Sequence, residues 1–189
     1  MSGTAIIHDA TLTPTKLELL ATWLPEQPWF NGDAADLERV AAYRFVDPDG
    51  EVGIETILVR SGGVTYQVPL TYRAEPLAEA APHLIGTMEH SALGTRYAYD
   101  AVGDPVYVVE LMRVIHEGDT EAELSRGEKS MTVEGSGITL VSNAAGEMIR
   151  IIRTLDNTHV PTVPTPLGWL TGRWSDAEGD QEQMLAILR

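Results

Sequence analysis

The hydropathy of residues 37–73 alternates with a period of two, and turn-forming residues interrupt this alternation twice. The turns are Asp47-Pro48-Asp49-Gly50 and Ser61-Gly62-Gly63, residue types that favour tight reversals of the chain. The first strand divides its residues between two faces, with Ala41, Tyr43 and Phe45 on one and Val40, Ala42, Arg44 and Val46 on the other. The segment therefore predicts a three-stranded antiparallel meander that forms a curved sheet with one covered face.

A helix is predicted just before this meander, where apolar residues recur at helical spacing at Leu17, Leu20 and Leu24. Thr13 is the expected cap of its first amides, Pro14 suits the first helical position, and Pro25 ends it. We expect this helix to cover the sheet. Ahead of it, residues 5–8 predict a short strand.

A second series of elements follows a linker at residues 74–82 that is rich in alanine, glutamate and proline. Asp104 before Pro105 is the expected cap of a second helix that stops at Gly118. The patterns predict strands at 84–89, 96–99, 131–133, 138–141 and 148–154, an acidic loop at 119–127, an extended segment at 157–166 and a terminal helix at 180–188.

These elements give an α+β fold: a curved antiparallel sheet with a packed helix, followed by a helix and a smaller β region. We expect a first domain over residues 1–118. Residues 119–189 are expected to form a smaller β-rich region with a C-terminal tail helix, packed on the first domain.

The formal net charge of −15 disfavours partners that carry many phosphates. Nucleic acids and anionic membrane surfaces need clustered Lys and Arg, so we expect neither as a partner. The acidic surface favours a basic partner instead. The chain has no cysteine, no apolar run long enough to span a membrane and no signal-peptide pattern near Met1, so we expect a cytoplasmic location.

The sequence contains candidate ligand-binding residues, but no recognisable set of catalytic residues. The histidines lack a paired ligand spacing, so no metal site and no cofactor are expected. Six residues are candidates for ligand binding: Trp29, His90, Ser91, Asp100, Trp169 and Trp174. No Gly-x-Ser-x-Gly elbow surrounds Ser91, and the tryptophans are candidates because aromatic faces bind sugar rings.

Three segments resemble the N-terminal cap of bacterial maltokinases: Trp23-Leu24-Pro25-Glu26-Gln27-Pro28-Trp29-Phe30, Val64-Thr65-Tyr66-Gln67-Val68-Pro69-Leu70, and Tyr99-Asp100-Ala101 with Asp104-Pro105. The chain departs from the family at Pro28, where the family usually has Arg. The resemblance implies a cystatin-like arrangement for the cap, which in maltokinases precedes a sugar-phosphorylating kinase core.

The kinase core itself has no counterpart that we can identify. The strand lysine of the family is absent, and Arg150 and Arg153 flank Ile151 and Ile152 instead. Phosphoryl transfer depends on positioned charges, so loss of the base, the metal ligand and this lysine leaves little mechanism.

The resemblance therefore implies a stand-alone cap-type protein that is non-catalytic and acts in interaction or regulation. Its implied partner is a kinase or a glucan-metabolism enzyme, in actinobacterial glucan or trehalose metabolism. One alternative is a small-ligand protein with a sugar or nucleotide between the meander and the second β region. A diverged enzyme with an unrecognised site is the other.

Overall fold

The computed structural model describes residues 3–137, 148–155 and 166–189. Its main feature is a curled antiparallel half-barrel sheet of seven strands. The strand order is β2-β6-β7-β5-β4-β3, and β11 pairs with β5 beside β7. These strands are β2 (Leu12–Thr13), β3 (Glu38–Val46), β4 (Gly53–Ser61), β5 (Val64–Arg73), β6 (Leu84–His90), β7 (Gly94–Asp100) and β11 (Thr154–Leu155). The predicted meander is β3-β4-β5.

The first helix, α1, spans Lys16–Trp23 and begins later than the sequence analysis predicted. Its cap is Thr15, whose hydroxyl accepts from the Glu18 amide while the Glu18 carboxylate accepts from the Thr15 amide at 2.7 Å. This reciprocal capping box satisfies two otherwise free amides. The prediction that Thr13 caps the helix is therefore wrong, because Thr13 pairs with Glu89 in β2.

The second helix, α2, spans Pro105–Glu117 between the predicted signals. The carboxylate of Asp104 accepts from the Val106 amide at 3.0 Å. Gly118 ends the helix in the left-handed conformation (φ 66°), which glycine adopts without steric cost. Four short 3₁₀ turns complete the helical part of the described chain: Leu24–Glu26, Ala34–Asp36, Ala78–His83 and Ala101–Gly103.

A second sheet of four strands has the order β10-β13-β12-β9. Its strands are β9 (Met131–Gly135), β10 (Ile149–Ile151), β12 (Gly168–Asp176) and β13 (Gly179–Leu188). The predicted terminal helix at 180–188 is therefore wrong: this segment is β13, paired with β12 along its length and with β10 at its end. The strand predicted at 148–154 is divided between β10 and β11.

Both faces of the large sheet are covered, although the sequence predicted one covered face. On one face, α1 packs its buried leucines against β4 and β5, at Leu20, Leu24, Ile57, Val59, Val68 and Leu70. On the other, Tyr43, Phe45 and Leu58 pack against α2 and the second sheet. Strands β4 and β5 are consequently buried along most of their length.

The N-terminal segment and a loop cover the outer edge of β3. Strand β1 (Thr4–Ala5) pairs with β8 (Glu123–Leu124) and replaces the strand predicted at residues 5–8. The Ala122 amide donates to the Arg44 carbonyl of β3 at 2.8 Å. The Ser130 hydroxyl accepts from the Ala42 amide at 2.8 Å and donates to the Ala42 carbonyl at 3.1 Å. Side chain and loop thus take the place of a neighbouring strand.

The α+β fold class is confirmed, with a curled antiparallel sheet and few helices. The strand predicted at 138–141 and most of the extended segment predicted at 157–166 lie outside the described residues. In the part of the chain that the structure describes, no helix is both long enough and apolar enough to cross a membrane.

Candidate functional site

A cleft of about 640 Å³ opens between the N-terminal segment and the curled sheet. Its walls are residues 4–12, the start of α1, the β3–β4 turn, the end of β5 and the β6–β7 hairpin. Apolar side chains of Ile7, Leu12 and Met88 line it beside several charged ones. We call it the N-terminal cleft. Concave surfaces with a few convergent polar groups are the usual form of a small-molecule site.

The buried carboxylate of Glu55 contacts three polar side chains that line this cleft. Lys16 at the start of α1 donates to its Oε2, and Arg44 Nη2 on β3 lies 3.0 Å from its Oε1. The Tyr72 hydroxyl on β5 donates to Oε2 at 2.9 Å. Burial opposes ionisation of Glu55, but attraction to Lys16 and Arg44 outweighs it and lowers the pKa to about 2.

The surroundings of Glu55 carry an excess of positive charge. Burial lowers the pKa of Lys16, and repulsion from Arg44 and Arg39 adds to this effect although Glu55 opposes it. Burial and the Glu55 charge together raise the pKa of Tyr72, so its hydroxyl stays protonated and donates. Arg96 also lines the cleft, and its buried Nε makes no hydrogen bond within the described residues.

Two of the predicted ligand-binding residues, His90 and Ser91, lie at or beside this cleft. His90 lines it and packs edge-on against His8 with ring centroids 5.6 Å apart. Burial lowers the pKa of His90, with further repulsion from His8 and Arg96, so the ring is neutral at pH 7.

The geometry of this pair does not resemble a nucleophile and its base. His90 Nδ1 accepts from the amides of Ala92 and Leu93, both at 3.2 Å. The Ser91 hydroxyl accepts from the Thr11 amide at 3.0 Å. Both groups therefore fix the β6–β7 hairpin and the N-terminal segment that it holds.

Two other predicted residues, Trp29 and Asp100, are brought together by Arg153 at a distance from the cleft. Arg153 Nη2 donates to both oxygens of Asp100 at 2.7 and 2.6 Å. The same guanidinium stacks over the Trp29 ring, with 4.9 Å to the centroid. The Arg153 carbonyl accepts from the Gln67 amide of β5 at 2.8 Å. Arg153 thus joins the second half of the chain to β5 and to the end of β7 in the large sheet.

Asp104 is also part of the scaffold. Arg73 at the end of β5 donates to both of its oxygens, from Nε at 2.8 Å and from Nη2 at 2.7 Å. Burial raises the pKa of Asp104, but the hydrogen bonds from Arg73 and the Val106 amide outweigh this and lower it. The two carboxylates in the Tyr99–Pro105 segment are therefore both held in ion pairs.

The last two predicted residues, Trp169 and Trp174, lie on opposite faces of β12. Trp174 is buried in the core between the two sheets, and its Nε1 donates to Asp176 at 3.3 Å. Trp169 is 40% exposed, so its side chain is accessible to solvent.

A group of four side chains was not predicted from the sequence: Lys16, Arg44 and Tyr72 line the N-terminal cleft, and Glu55 contacts all three. A signal for Glu55 was present, because it is the one acidic residue in the apolar strand Ile54–Val59. A charge in a doubly covered strand needs a partner. The partners themselves come from α1 and two strands, so their spacing in sequence does not reveal them.

Within residues 3–137, 148–155 and 166–189, no group of three His, Asp or Glu side chains is arranged to hold a metal ion. No curated protein matches the chain. Residues 23–104 match the family of the maltokinase N-terminal cap domain, a segment that includes the meander, β6, β7 and the Asp104 cap. The chain is therefore similar to the maltokinase N-terminal cap domain over residues 23–104.

Proposed function

We propose that this chain works as a non-catalytic cap-type module with an interaction or regulatory role. The observation that carries the proposal is the use of the carboxylates in the Tyr99–Pro105 segment. Asp100 and Asp104 are held by Arg153 and Arg73, and Asp104 also caps α2. Removing one partner of a buried ion pair destabilises a fold, so these carboxylates stabilise the scaffold that carries the proposed interaction surface.

The proposed partner is a sugar kinase or a glucan-processing enzyme, in glucan or trehalose metabolism and in the cytoplasm. The match to the maltokinase cap over residues 23–104 supports the class of partner. The net charge of −15 supports a partner with a basic surface, because opposite charges steer association.

The test is purification of the tagged chain from lysate of its own cells, with quantitative mass spectrometry at low and high salt. We expect stoichiometric recovery of a kinase or glucan-processing enzyme, reduced at high salt because screening weakens charge attraction. Purified partner and chain should then form a complex in light scattering. A chain that stays alone at both salt concentrations contradicts the proposal.

Small-ligand binding is a second candidate function, and the N-terminal cleft favours it. Lys16, Arg44 and Arg96 converge there beside apolar side chains. A more open cleft of about 510 Å³ between α2 and β10 lies nearer the place expected from the sequence. Its lining is mostly apolar, apart from Arg150, Arg153 and Tyr107, so the N-terminal cleft offers more polar contacts to a sugar or nucleotide.

A further inference from the structure

The charges that line the N-terminal cleft contrast with those of the chain as a whole. The sequence has 28 acidic and 13 basic residues, yet Lys16, Arg44 and Arg96 meet at this one cleft. Glu55 contacts two of these cations and carries only one negative charge. One positive charge of this buried group therefore remains without compensation, and Arg96 adds a second.

The other carboxylates at the cleft do not supply the missing charge to Arg96. The oxygens of Asp47 accept from the amides of Asp49, Glu51 and Val52, at 2.9–3.1 Å, so this carboxylate holds the β3–β4 turn. Glu51 itself is exposed. Arg96 forms no ion pair with any carboxylate of the described residues, and its Nη2 donates to the Leu93 carbonyl instead.

The Nε of Arg96 is a buried donor at the wall of the cleft. It has no hydrogen-bond partner within the described residues, and buried donors are rarely left without one. A guanidinium donates through two parallel N–H groups, a geometry that matches the oxygens of a carboxylate or a phosphate. Burial lowers the pKa of Lys16 and of His90, and repulsion from Arg44 and from Arg96, respectively, adds to the shift.

We propose that the N-terminal cleft binds a small molecule through an oxyanion group, a phosphate or a carboxylate, held by Arg96 with Lys16 and Arg44. This inference rests on the second candidate function, because it names the chemistry of the ligand in that cleft. The cleft volume of about 640 Å³ exceeds what an oxyanion alone fills. Ile7, Leu12 and Met88 give the remainder of the ligand an apolar wall.

The test is a titration of the isotope-labelled full chain, followed by NMR amide shifts and calorimetry. The probes are inorganic phosphate, glucose 6-phosphate, citrate and free glucose. We expect the hexose phosphate or citrate to shift the amides of β6, β7 and residues 4–12, with free glucose without effect. Inorganic phosphate that binds as tightly as either organic anion would show that the free ion is the ligand.

The variant that tests the assignment is Arg96→Gln, and its matched control is Arg173→Gln. Arg173 is a half-exposed arginine on β12, so both variants lose the same charge. We expect Arg96→Gln to weaken binding about tenfold or more, and Arg173→Gln to leave it within about twofold. Arg96→Lys keeps the charge but loses the two parallel N–H donors, so it should weaken binding to an intermediate degree.

The outcomes separate this inference from the function on which it rests. Equal binding of free glucose and glucose 6-phosphate, or equal affinity of the chain and Arg96→Gln, overturns the oxyanion assignment and leaves a ligand-binding cleft. Binding of none of the four probes at the cleft overturns the oxyanion assignment. Partner capture is measured separately and is unaffected by either result.

Discussion

At the scale of single residues, Glu55 is the buried counter-charge of Lys16 and Arg44. Replacing it by Gln leaves the partly buried Lys16 and Arg44 without their counter-charge. We expect Glu55→Gln to lower the free energy of unfolding by about 3 kcal/mol at pH 7, measured by urea denaturation. Glu51→Gln is the control, because Glu51 is exposed and its loss should change stability by less than about 0.5 kcal/mol. Equal effects of the two changes would contradict this role of Glu55.

The pH dependence of stability follows from the same carboxylate. Folding lowers the pKa of Glu55 from 4.5 to about 2, under the influence of Lys16, Arg44 and Tyr72, with Arg39 further away. Its contribution is therefore complete above about pH 4.5 and is lost as the pH falls towards 2.

We expect the chain to lose more stability between pH 6 and pH 3 than Glu55→Gln does, by on the order of 2 kcal/mol. The measurement is urea denaturation of both proteins at several pH values. Parallel stability curves for the two proteins would show that Glu55 has an ordinary pKa in the folded state.

Residue-scale prediction from the sequence succeeded where the signal was local. Asp104 was predicted as a cap because an Asp-Pro pair before an apolar helical pattern indicates a helix start from the local sequence alone. His90 lines the cleft, and its role in ligand binding stays a prediction. Glu55 and Lys16 were missed because 39 positions separate them, and only the packing of α1 on the sheet joins them.

At the scale of elements, α2 depends on Asp104 for both its first turn and its attachment to β5. We expect Asp104→Ala to lower the free energy of unfolding by about 3 kcal/mol, because it removes the cap and leaves Arg73 without its partner. Asp33→Ala is the matched control, since Asp33 caps only the short turn Ala34–Asp36 through the Ala35 amide. Thermal unfolding should show a shift several times smaller for that change.

The contact between β9 and α2 leaves no room for a side chain at Gly135. A Cβ at this position would lie 2.0 Å from the Val114 carbonyl oxygen of α2. We expect Gly135→Ala to destabilise the protein by about 2 kcal/mol or more, because backbone atoms must move. Thr132→Ala on the exposed side of β9 is the control. A Gly135→Ala variant as stable as this control would show that β9 moves away from the helix at little cost.

The error at the C-terminus shows how tertiary pairing overrides local propensity. Residues 180–188 contain several good helix formers, including Gln, Glu, Met, Leu and Ala, and this composition favoured a helix. In the structure, β13 lies between β10 and β12, and residues 185–188 are buried. The hydropathy patterns of β10 and β12 do not indicate that these strands pair with β13.

At the scale of the whole molecule, one core joins the two parts into which the sequence analysis divided the chain. Tyr43 and Leu111 from the first part pack in the same cluster as Leu170 and Leu185 from the second. Gln67 on β5 donates to the carbonyls of Ile152 and Leu185, at 3.0 and 2.8 Å. The division at residue 118 stays a prediction that unfolding can test.

We expect calorimetry to show one thermal transition, with equal calorimetric and van't Hoff enthalpies, because the shared core makes unfolding cooperative. Fluorescence should report the same midpoint, since Trp23 lies at the end of α1 and Trp174 lies in the shared core. Two separate transitions would support two independent domains instead.

The overall architecture could be predicted in part. The alternating pattern at 37–73 predicted the meander, and the leucine spacing predicted the helix that covers one face. The second cover, from α2 and the four-stranded sheet, was not predicted. An alternating strand pattern indicates which face is apolar, but β4 carries apolar residues on both faces. The elements that cover its second face lie far away in sequence.

The hydroxyl of Ser130 has a consequence for how copies of this protein behave at high concentration. It occupies the amide and the carbonyl of Ala42, which on an open edge are free to recruit another chain. Together with the Ala122 amide on the Arg44 carbonyl, this side chain leaves little of β3 open to a strand from a neighbouring molecule. The contacts that close the β3 edge thus also oppose growth of an intermolecular sheet.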